Sequence, residues 1–81
     1  MARIVFLAAQ RRYTRGSHAM EAEARDFRDV VAAVRARFPE FPEDELLGCS
    51  VAIDGEIVNR PWLEPIGPGS EVIFVARIGA G

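Results

Sequence analysis

The chain has 81 residues, of which 49% are hydrophobic and 27% charged, and its formal net charge is −2. This length supports one domain with one modest core, which argues against a multi-step enzyme. The composition is typical of a folded globular domain rather than a disordered one. The small net charge gives no support to a nucleic-acid-binding protein held by bulk electrostatics.

The first residues and the cysteine content bear on the cellular compartment. The opening run "MARIVFLAAQ" is far shorter than the roughly 20 apolar residues that span a bilayer, and it lacks the regions of a signal peptide. The single cysteine, Cys49, cannot form an intrachain disulfide, which is consistent with a reducing compartment. We therefore expect a cytoplasmic protein that does not associate with membranes.

The first third of the chain predicts two strands and a loop. "RIVFLAA", residues 3–9, is apolar on both alternating sides, which predicts a central strand covered on both faces of the sheet. The polar, Gly-containing segment "QRRYTRGS", residues 10–17, predicts a turn or loop. "HAMEAEA", residues 18–24, alternates weakly and favours an edge strand, although Ala and Glu prefer helices.

The clearest predicted helix begins at Asp26, whose carboxylate can accept hydrogen bonds from the first turn. Asp29 adds negative charge near the positive end of the helix dipole, and Pro39 ends the helix. One helix face is apolar at helical spacing and should be buried; it carries Phe27, Val30, Val31, Val34 and Phe38. Residues 39–48 follow as an acidic loop with room for one helical turn.

The last third predicts a hairpin and a final strand. "CSVAIDGEIV" contains two short alternating runs joined by Asp54-Gly55, the residue pair of a type I′ turn. In the Pro- and Gly-rich connection that follows, Trp62 and Leu63 are expected to close the edge of the core. "EVIFVA", residues 71–76, is apolar on both sides and predicts a second central strand beside the first.

This order predicts an α+β protein with the β-grasp (ubiquitin-like) fold. A right-handed crossover places the main helix across one face of a mixed sheet of four or five strands. No linker or internal repeat divides the chain, so residues 1–81 are expected to form a single domain. The residues after the final strand, 77–81, are expected to form a flexible C-terminal tail.

Catalytic and metal-binding patterns are weak. His18 and Cys49 are isolated residues without an orienting signature, and neither belongs to a metal-ligand cluster. One cysteine excludes a plant-type iron–sulfur cluster, which needs four. "GPGS" lacks the Lys and the following helix of a phosphate loop and is better explained as a turn. Asp26 and Asp29 are spaced like carboxylate ligands, but helix capping explains both.

The segment "RRYTR", residues 11–15, interleaves Arg with an aromatic residue. Such a segment can stack on a base or pair with phosphates. No second basic patch accompanies it, so a solvated or partner-facing loop is the preferred interpretation, and we expect no nucleic-acid partner.

The whole chain resembles the MoaD/ThiS family, which comprises the small subunit of molybdopterin synthase and the sulfur carrier of thiazole biosynthesis. The resemblance is carried by "RIVFLAA", the helix after the second strand, "VAIDGEIV" and the ending "GPGSEVIFVARIGAG". Its most specific element is the apolar strand that leads into a tail of small residues. Family members end in Gly-Gly, whereas this sequence ends in Gly79-Ala80-Gly81.

The resemblance implies a sulfur-carrier function in which the catalytic residues belong to the partner enzymes. It assigns the reactive carboxylate to Gly81, which a ubiquitin-activating-like adenylyltransferase would adenylate with ATP and magnesium before conversion to a thiocarboxylate. Gly79 and Ala80 would form the thin thread that enters the partner, because residues without large side chains fit a narrow channel. The chain itself would bind no cofactor and no metal.

The resemblance leaves the pathway open. The length of the first loop favours the molybdopterin synthase small subunit, with the synthase large subunit as partner. The alternatives are a carrier for thiazole synthase or another sulfur metabolite, and a ubiquitin-like binding module with an inert tail. Because one helix covers only one sheet face, we expect an apolar docking surface near the tail that includes Phe74 and Arg77.

Overall fold

The computed structural model describes residues 1–59 and 61–75. The predicted flexible tail at 77–81 lies outside the described residues. In chain order the elements are β1 (Ala2–Phe6), a 3₁₀ helix (Ala8–Tyr13), β2 (Ala19–Ala22), α1 (Phe27–Arg37), α2 (Glu43–Gly48), β3 (Ser50–Ile53), β4 (Glu56–Val58) and β5 (Glu71–Val75).

Within the described residues, five strands form one mixed sheet in the order β2-β1-β5-β3-β4. The central pair, β1 and β5, is parallel, and every other pair is antiparallel. This arrangement is the predicted β-grasp fold, with the two apolar strands side by side and the weak strand β2 at one edge. No helix among the described residues is both long enough and apolar enough to cross a bilayer.

Helix α1 begins where the sequence predicts. The Asp26 carboxylate accepts from the Asp29 amide nitrogen at 3.0 Å, and the Asp29 carboxylate accepts from the Arg25 amide nitrogen at 3.0 Å. These two side chains therefore satisfy exposed donors at the helix start, as capping requires. The apolar face is buried against the sheet as expected, through Phe27, Val30, Val31 and Val34.

Aromatic rings fill the centre of the core between α1 and the sheet. Phe6 stacks on Phe74 with a centroid separation of 6.1 Å and meets Phe38 edge to face at 5.8 Å. Phe27 from α1 approaches Phe74 at 5.7 Å. Because aromatic side chains bury a large area each, these contacts supply much of the hydrophobic stabilisation of a core this small.

Among residues 1–59 and 61–75, the central strands are covered on one face only, which corrects the prediction that both faces are covered. Ile4 and Phe6 of β1 are fully buried, whereas Val5 between them is only partly buried. The reason is that α1 lies on a single side of the sheet. The apolar residues on both sides of this run therefore predicted a central strand correctly. They did not indicate that a second layer packs on the other face of the sheet.

Trp62 and Leu63 do not close the edge of the core as predicted. Their exposed fractions are 44% and 65%, and Ile66 is buried in the core instead. The backbone of this connection explains its path, since the carbonyl oxygen of Trp62 accepts from the Arg28 amide nitrogen at 3.0 Å. The Glu64 carbonyl accepts from the Phe27 amide nitrogen at the same distance, so the connection caps α1 through main-chain atoms.

The predicted first loop is more ordered than its polar sequence suggests. Residues Ala8–Tyr13 form the 3₁₀ helix, and Gln10 and Thr14 are buried. The Thr14 hydroxyl donates to the Ser17 carbonyl oxygen at 2.9 Å, and the Tyr13 ring lies 4.9 Å from that of Phe41. Local hydrogen bonds therefore satisfy the buried polar side chains of this segment. The polar sequence pattern did not predict that these side chains are buried.

The predicted hairpin has the expected turn. Asp54 and Gly55 both have positive φ, 51° and 87°, as a type I′ turn requires. The Asp54 carboxylate also accepts from the Ser70 hydroxyl and the Glu71 amide nitrogen, each at 2.9 Å. One aspartate thus fixes both the hairpin turn and the point at which β5 begins.

Candidate functional site

The candidate site lies where the two central strands end. Because β1 and β5 are parallel and Phe6 pairs with Phe74, their carboxyl ends meet at the same end of the sheet. Val75, the last described residue of β5, pairs there with Ser50 at the start of β3. We call this region, formed by Phe6, Phe74, Val75 and Ser50, the tail end of the sheet. The sequence that follows β5 therefore begins at the centre of the sheet rather than at an exposed edge strand.

Phe74, expected to contact a partner, is a core residue. Its side chain has no exposed area and contacts Phe6 and Phe27. The expected interface is therefore corrected at this position, because an even-numbered residue of β5 points toward α1. The neighbours Ile73 and Val75 point to the opposite face, where each is only partly buried.

The uncovered face of the sheet carries one continuous apolar row. In the strand register, Val5 pairs with Ala19 on one side and Ile73 on the other, and Ala52 pairs with both Ile73 and Ile57. We call these five residues the open-face row. It crosses all five strands, four of its members are partly buried, and Ile57 at its end is 58% exposed.

The open-face row has a charged neighbour on one side and apolar neighbours on the other. Arg3 pairs with Glu21 on one side and with Glu71 on the other. These three charged residues lie beside the open-face row, on the side away from the tail end. On the tail side lie Val75, which is partly buried, and Leu7, which is 40% exposed. An apolar surface with a polar rim is typical of a protein-binding surface, and this one continues up to the start of the tail.

The other predicted tail residues lie outside the described part of the chain. Arg77, Gly79, Ala80 and Gly81 all follow Val75, the last residue that the structure describes. Their assigned roles in threading, partner binding and sulfur chemistry stay predictions. What the structure contributes is the position from which they start.

The fold does not bring His18 and Cys49 together. His18 precedes β2 and Cys49 precedes β3, and three inter-strand steps separate those strands, which puts the two residues roughly 14 Å apart. Cys49 is buried. Among residues 1–59 and 61–75, no three His, Cys, Asp or Glu side chains form a group that could hold a metal ion.

Two weaker motifs also have structural explanations. In "GPGS" the Ser70 hydroxyl accepts from the Gly67 amide nitrogen at 3.0 Å and Gly69 has a φ of 83°, which is the geometry of a turn. In "RRYTR" the guanidinium of Arg12 lies 4.7 Å from the centre of the Tyr13 ring. That ring also packs against Phe41, so it is engaged on the protein rather than presented as an open stacking platform.

In the part of the chain that the structure describes, one main helix crosses a five-stranded mixed sheet whose central strand precedes the small-residue ending, and this arrangement defines a ubiquitin-like β-grasp domain. The chain belongs to the ThiS family, whose sequence model matches residues 4–81. Proteins of this family are small sulfur carriers rather than catalysts themselves. A comparison with curated proteins returned no match.

Sequence reasoning missed two features of the site. The first is the open-face row, which becomes visible only once the strand register is known. Ile57 was a partial signal, because it alternates with Val58 along the edge strand and so cannot face the core together with Val58. The second is Gln10, a buried amide at the tail end of the sheet. Nothing in "AAQRR" distinguishes this glutamine from a solvated one.

Proposed function

We propose that this protein is a sulfur carrier whose Gly81 carboxylate is adenylated and then converted to a thiocarboxylate. The observation that carries the proposal is the ThiS family match over residues 4–81, which includes the small-residue ending. A carboxylate is a poor electrophile, so formation of an acyl-adenylate with ATP and magnesium by a ubiquitin-activating-like adenylyltransferase gives a sulfur nucleophile a leaving group, AMP, to displace. The carrier supplies the reacting carboxylate, and the partner supplies the nucleotide and metal sites.

The position of β5 supports this role. A tail that starts from the central strand has a rigid origin, because β1 on one side and β3 on the other hold β5 in place. A reactive terminus benefits from such an origin, since rates of transfer depend strongly on the placement of the reacting group. Gly79 and Ala80 then form the thin approach to the partner's site.

The open-face row supports docking of both partners beside the tail. It offers an apolar surface that reaches from β2 to β4, and Val75, the last described residue before the tail, lies on its tail side. The proposed occupants are the adenylyltransferase and, in the next step, the enzyme that receives sulfur. Arg77 is proposed to pair with acidic residues of those partners.

The proposed receiving enzyme is the molybdopterin synthase large subunit. The length of the first loop favours this pathway. That segment is ordered rather than an unstructured insertion, because the Tyr13 ring packs against Phe41 and Thr14 is buried. The ThiS family match supports a carrier for thiazole synthase equally well. Copurification with each candidate enzyme discriminates between them, because only the cognate enzyme should form a stable complex.

The test of the sulfur chemistry is mass spectrometry of the carrier after incubation with its adenylyltransferase, ATP, magnesium and a sulfur donor. We expect the mass increase for replacement of one oxygen by sulfur, located in the C-terminal peptide. The matched control is a variant that lacks Gly81 and so places the carboxylate on Ala80. An unmodified wild-type chain would favour a binding module with an inert tail.

Ala80 is the position at which the ending departs from Gly-Gly. If activation requires a positive φ there, alanine carries a penalty of about 1–2 kcal/mol, or about ten-fold in rate. We expect a functional wild type and a several-fold faster Ala80→Gly variant in the thiocarboxylate assay. Equal rates would mean that the partner's channel accepts alanine, and an inactive wild type rescued by glycine would indicate a degenerate carrier.

A further inference from the structure

A cavity of about 350 Å³ opens beside the tail end of the sheet, between the 3₁₀ helix and α2. Its lining includes Gln10 and Arg12 on one side and Asp44, Glu45, Gly48 and Cys49 on the other. Cys49 directly precedes Ser50, which pairs with Val75, the last described residue before the tail. A protein that binds the chain beyond Val75 therefore comes into the neighbourhood of this cavity.

The side-chain amide of Gln10 is held in one orientation at this cavity. The Leu7 amide nitrogen donates to Gln10 Oε1 at 2.9 Å. Because a backbone N–H can only donate, the oxygen has to be the atom that faces it, and Nε2 is the polar atom that remains. No described residue accepts a hydrogen bond from Nε2. Among the described side chains no nitrogen is both fully buried and unpaired, so Nε2 is accessible from the cavity.

The Gln10 amide therefore specifies one feature of a ligand. Gln10 is only 6% exposed, and a polar group this deeply buried is destabilising unless it is hydrogen-bonded. The NH₂ group can only donate, so its partner must be an acceptor such as a carbonyl or carboxylate oxygen. On the surface of another protein, the most abundant acceptor is the main-chain carbonyl of a loop.

The charged residues at this cavity lack partners, whereas a neighbouring charge is paired. Glu43 lies 3.7 Å from Arg35. Asp44, Glu45 and Arg12 are exposed and form no ion pair with any described residue. Exposed carboxylates alone do not make a binding site, but these two lie beside a buried donor that needs an acceptor. Two carboxylates against one guanidinium leave the cavity negative, which complements a basic side chain.

We propose that this cavity is a docking site for a loop of the adenylyltransferase that carries a lysine or arginine beside an exposed main-chain carbonyl. The basic side chain pairs with Asp44 and Glu45, and the carbonyl accepts from Gln10 Nε2. This inference rests on the proposed sulfur-carrier function. It adds a polar contact beside the tail to the apolar contact over the open-face row. Polar contacts of this kind fix the register of a complex, so two separate surfaces would orient the docked carrier.

The charge contact is tested by titration calorimetry with the adenylyltransferase. Glu45→Lys reverses one charge at the cavity, and we expect the affinity to fall about ten-fold because the lysine repels the basic side chain. Glu43→Lys makes the same change in net charge on the same helix, but at a residue outside the cavity lining. We expect that control to lower the affinity by less than about two-fold, as for an exposed charge. Thermal unfolding of both variants checks that each is folded.

The hydrogen bond is tested by NMR on the wild-type carrier. The chain contains one Gln and one Asn, so the side-chain NH₂ signals of Gln10 are assigned without ambiguity. With saturating adenylyltransferase we expect both signals to shift and their exchange with water to slow several-fold. The Leu7 amide should keep its coupling to the Gln10 side-chain carbonyl carbon, which shows that the amide stays anchored.

The outcomes separate this docking site from general electrostatics and from the proposed function. Equal losses of affinity in Glu45→Lys and Glu43→Lys, or Gln10 signals unchanged at saturation, contradict the docking site while the thiocarboxylate assay still supports the carrier. A Glu45→Lys variant that instead alters self-association in sedimentation would make a second copy of the chain the occupant and overturn the proposal. A wild type that neither binds the adenylyltransferase nor forms a thiocarboxylate overturns both.

Discussion

The two faces of the sheet have similar side chains but different environments. On the face toward α1, Ile4, Val72 and Phe74 have no exposed area. On the opposite face, Val5 and Ile73 are only partly buried although they are just as apolar. The first face carries apolar side chains because it forms the core. The second face is only partly buried within the domain, so core formation does not explain its apolar side chains. A folded domain that keeps an uncovered apolar surface usually uses it for binding.

The largest expected effect is on the covered face. Phe74→Ala removes a ring that contacts Phe6 and Phe27, and the resulting cavity should lower the free energy of unfolding by about 3–5 kcal/mol. Small domains are stable by only about 5–15 kcal/mol in total, so much of the protein should unfold under mild denaturation. Urea titration measures the change. Val75→Ala is the control on the other face, and an equal loss there would contradict the distinction between the faces.

The next expected effect is on partner binding. Ile73→Thr keeps a β-branched side chain in the central strand but removes apolar contact area from the middle of the open-face row. We expect affinity for the adenylyltransferase to fall by about 2 kcal/mol, as at a central interface residue, with little change in unfolding. Isothermal titration calorimetry measures the affinity.

The adjacent residue gives the matched control for this substitution. Val72→Thr makes the same kind of change one residue earlier, on the covered face, where it buries a hydroxyl in the core. It should destabilise the fold by about 1–3 kcal/mol and leave the affinity of the folded fraction unchanged. If both threonine variants affect binding equally, the open-face row is not the docking surface.

The covered face was largely predictable from the sequence. Strong local signals specified it, since Asp26 marks the helix start, the valines of α1 recur at helical spacing, and Asp54-Gly55 marks the hairpin turn. The adjacency of β1 and β5 followed from their doubly apolar runs. These features depend on periodicity and turn chemistry, which are local properties of a chain.

The open face and the tail end were less predictable because they depend on register and on tertiary hydrogen bonds. Phe74 and Ile73 differ by one position, and only the register decides which of them faces α1. Trp62 contacts the start of α1 through its main-chain carbonyl while its side chain is exposed, and its hydrophobicity predicted the opposite. Gln10 is buried with its side chain bonded to the Leu7 amide, a partner that no composition or spacing rule identifies.

A smaller effect is expected from the helix that creates the difference between the faces. Asp26→Ala removes the carboxylate that accepts from the Asp29 amide, which should lower the free energy of unfolding by about 1 kcal/mol. Thermal or urea unfolding detects a change of this size. The affinity of the folded protein for the adenylyltransferase should stay the same, because α1 lies on the covered side. A loss of affinity without a loss of stability would instead place the partner on the helix side.

The smallest expected effect is at the end of the open-face row. Ile57 lies on the edge strand β4 and is 58% exposed, so Ile57→Thr should change the free energy of unfolding by no more than about 0.5 kcal/mol. Residues at the rim of an interface contribute less than those at its centre, and we expect affinity to fall by less than about 1 kcal/mol. The same calorimetric titration compares it with Ile73→Thr. If Ile57→Thr weakens binding as much as Ile73→Thr does, the partner's centre of contact lies over β3 and β4, and docking no longer places the partner beside the tail. If it weakens binding less, the contact is centred on β5, the strand from which the tail leaves.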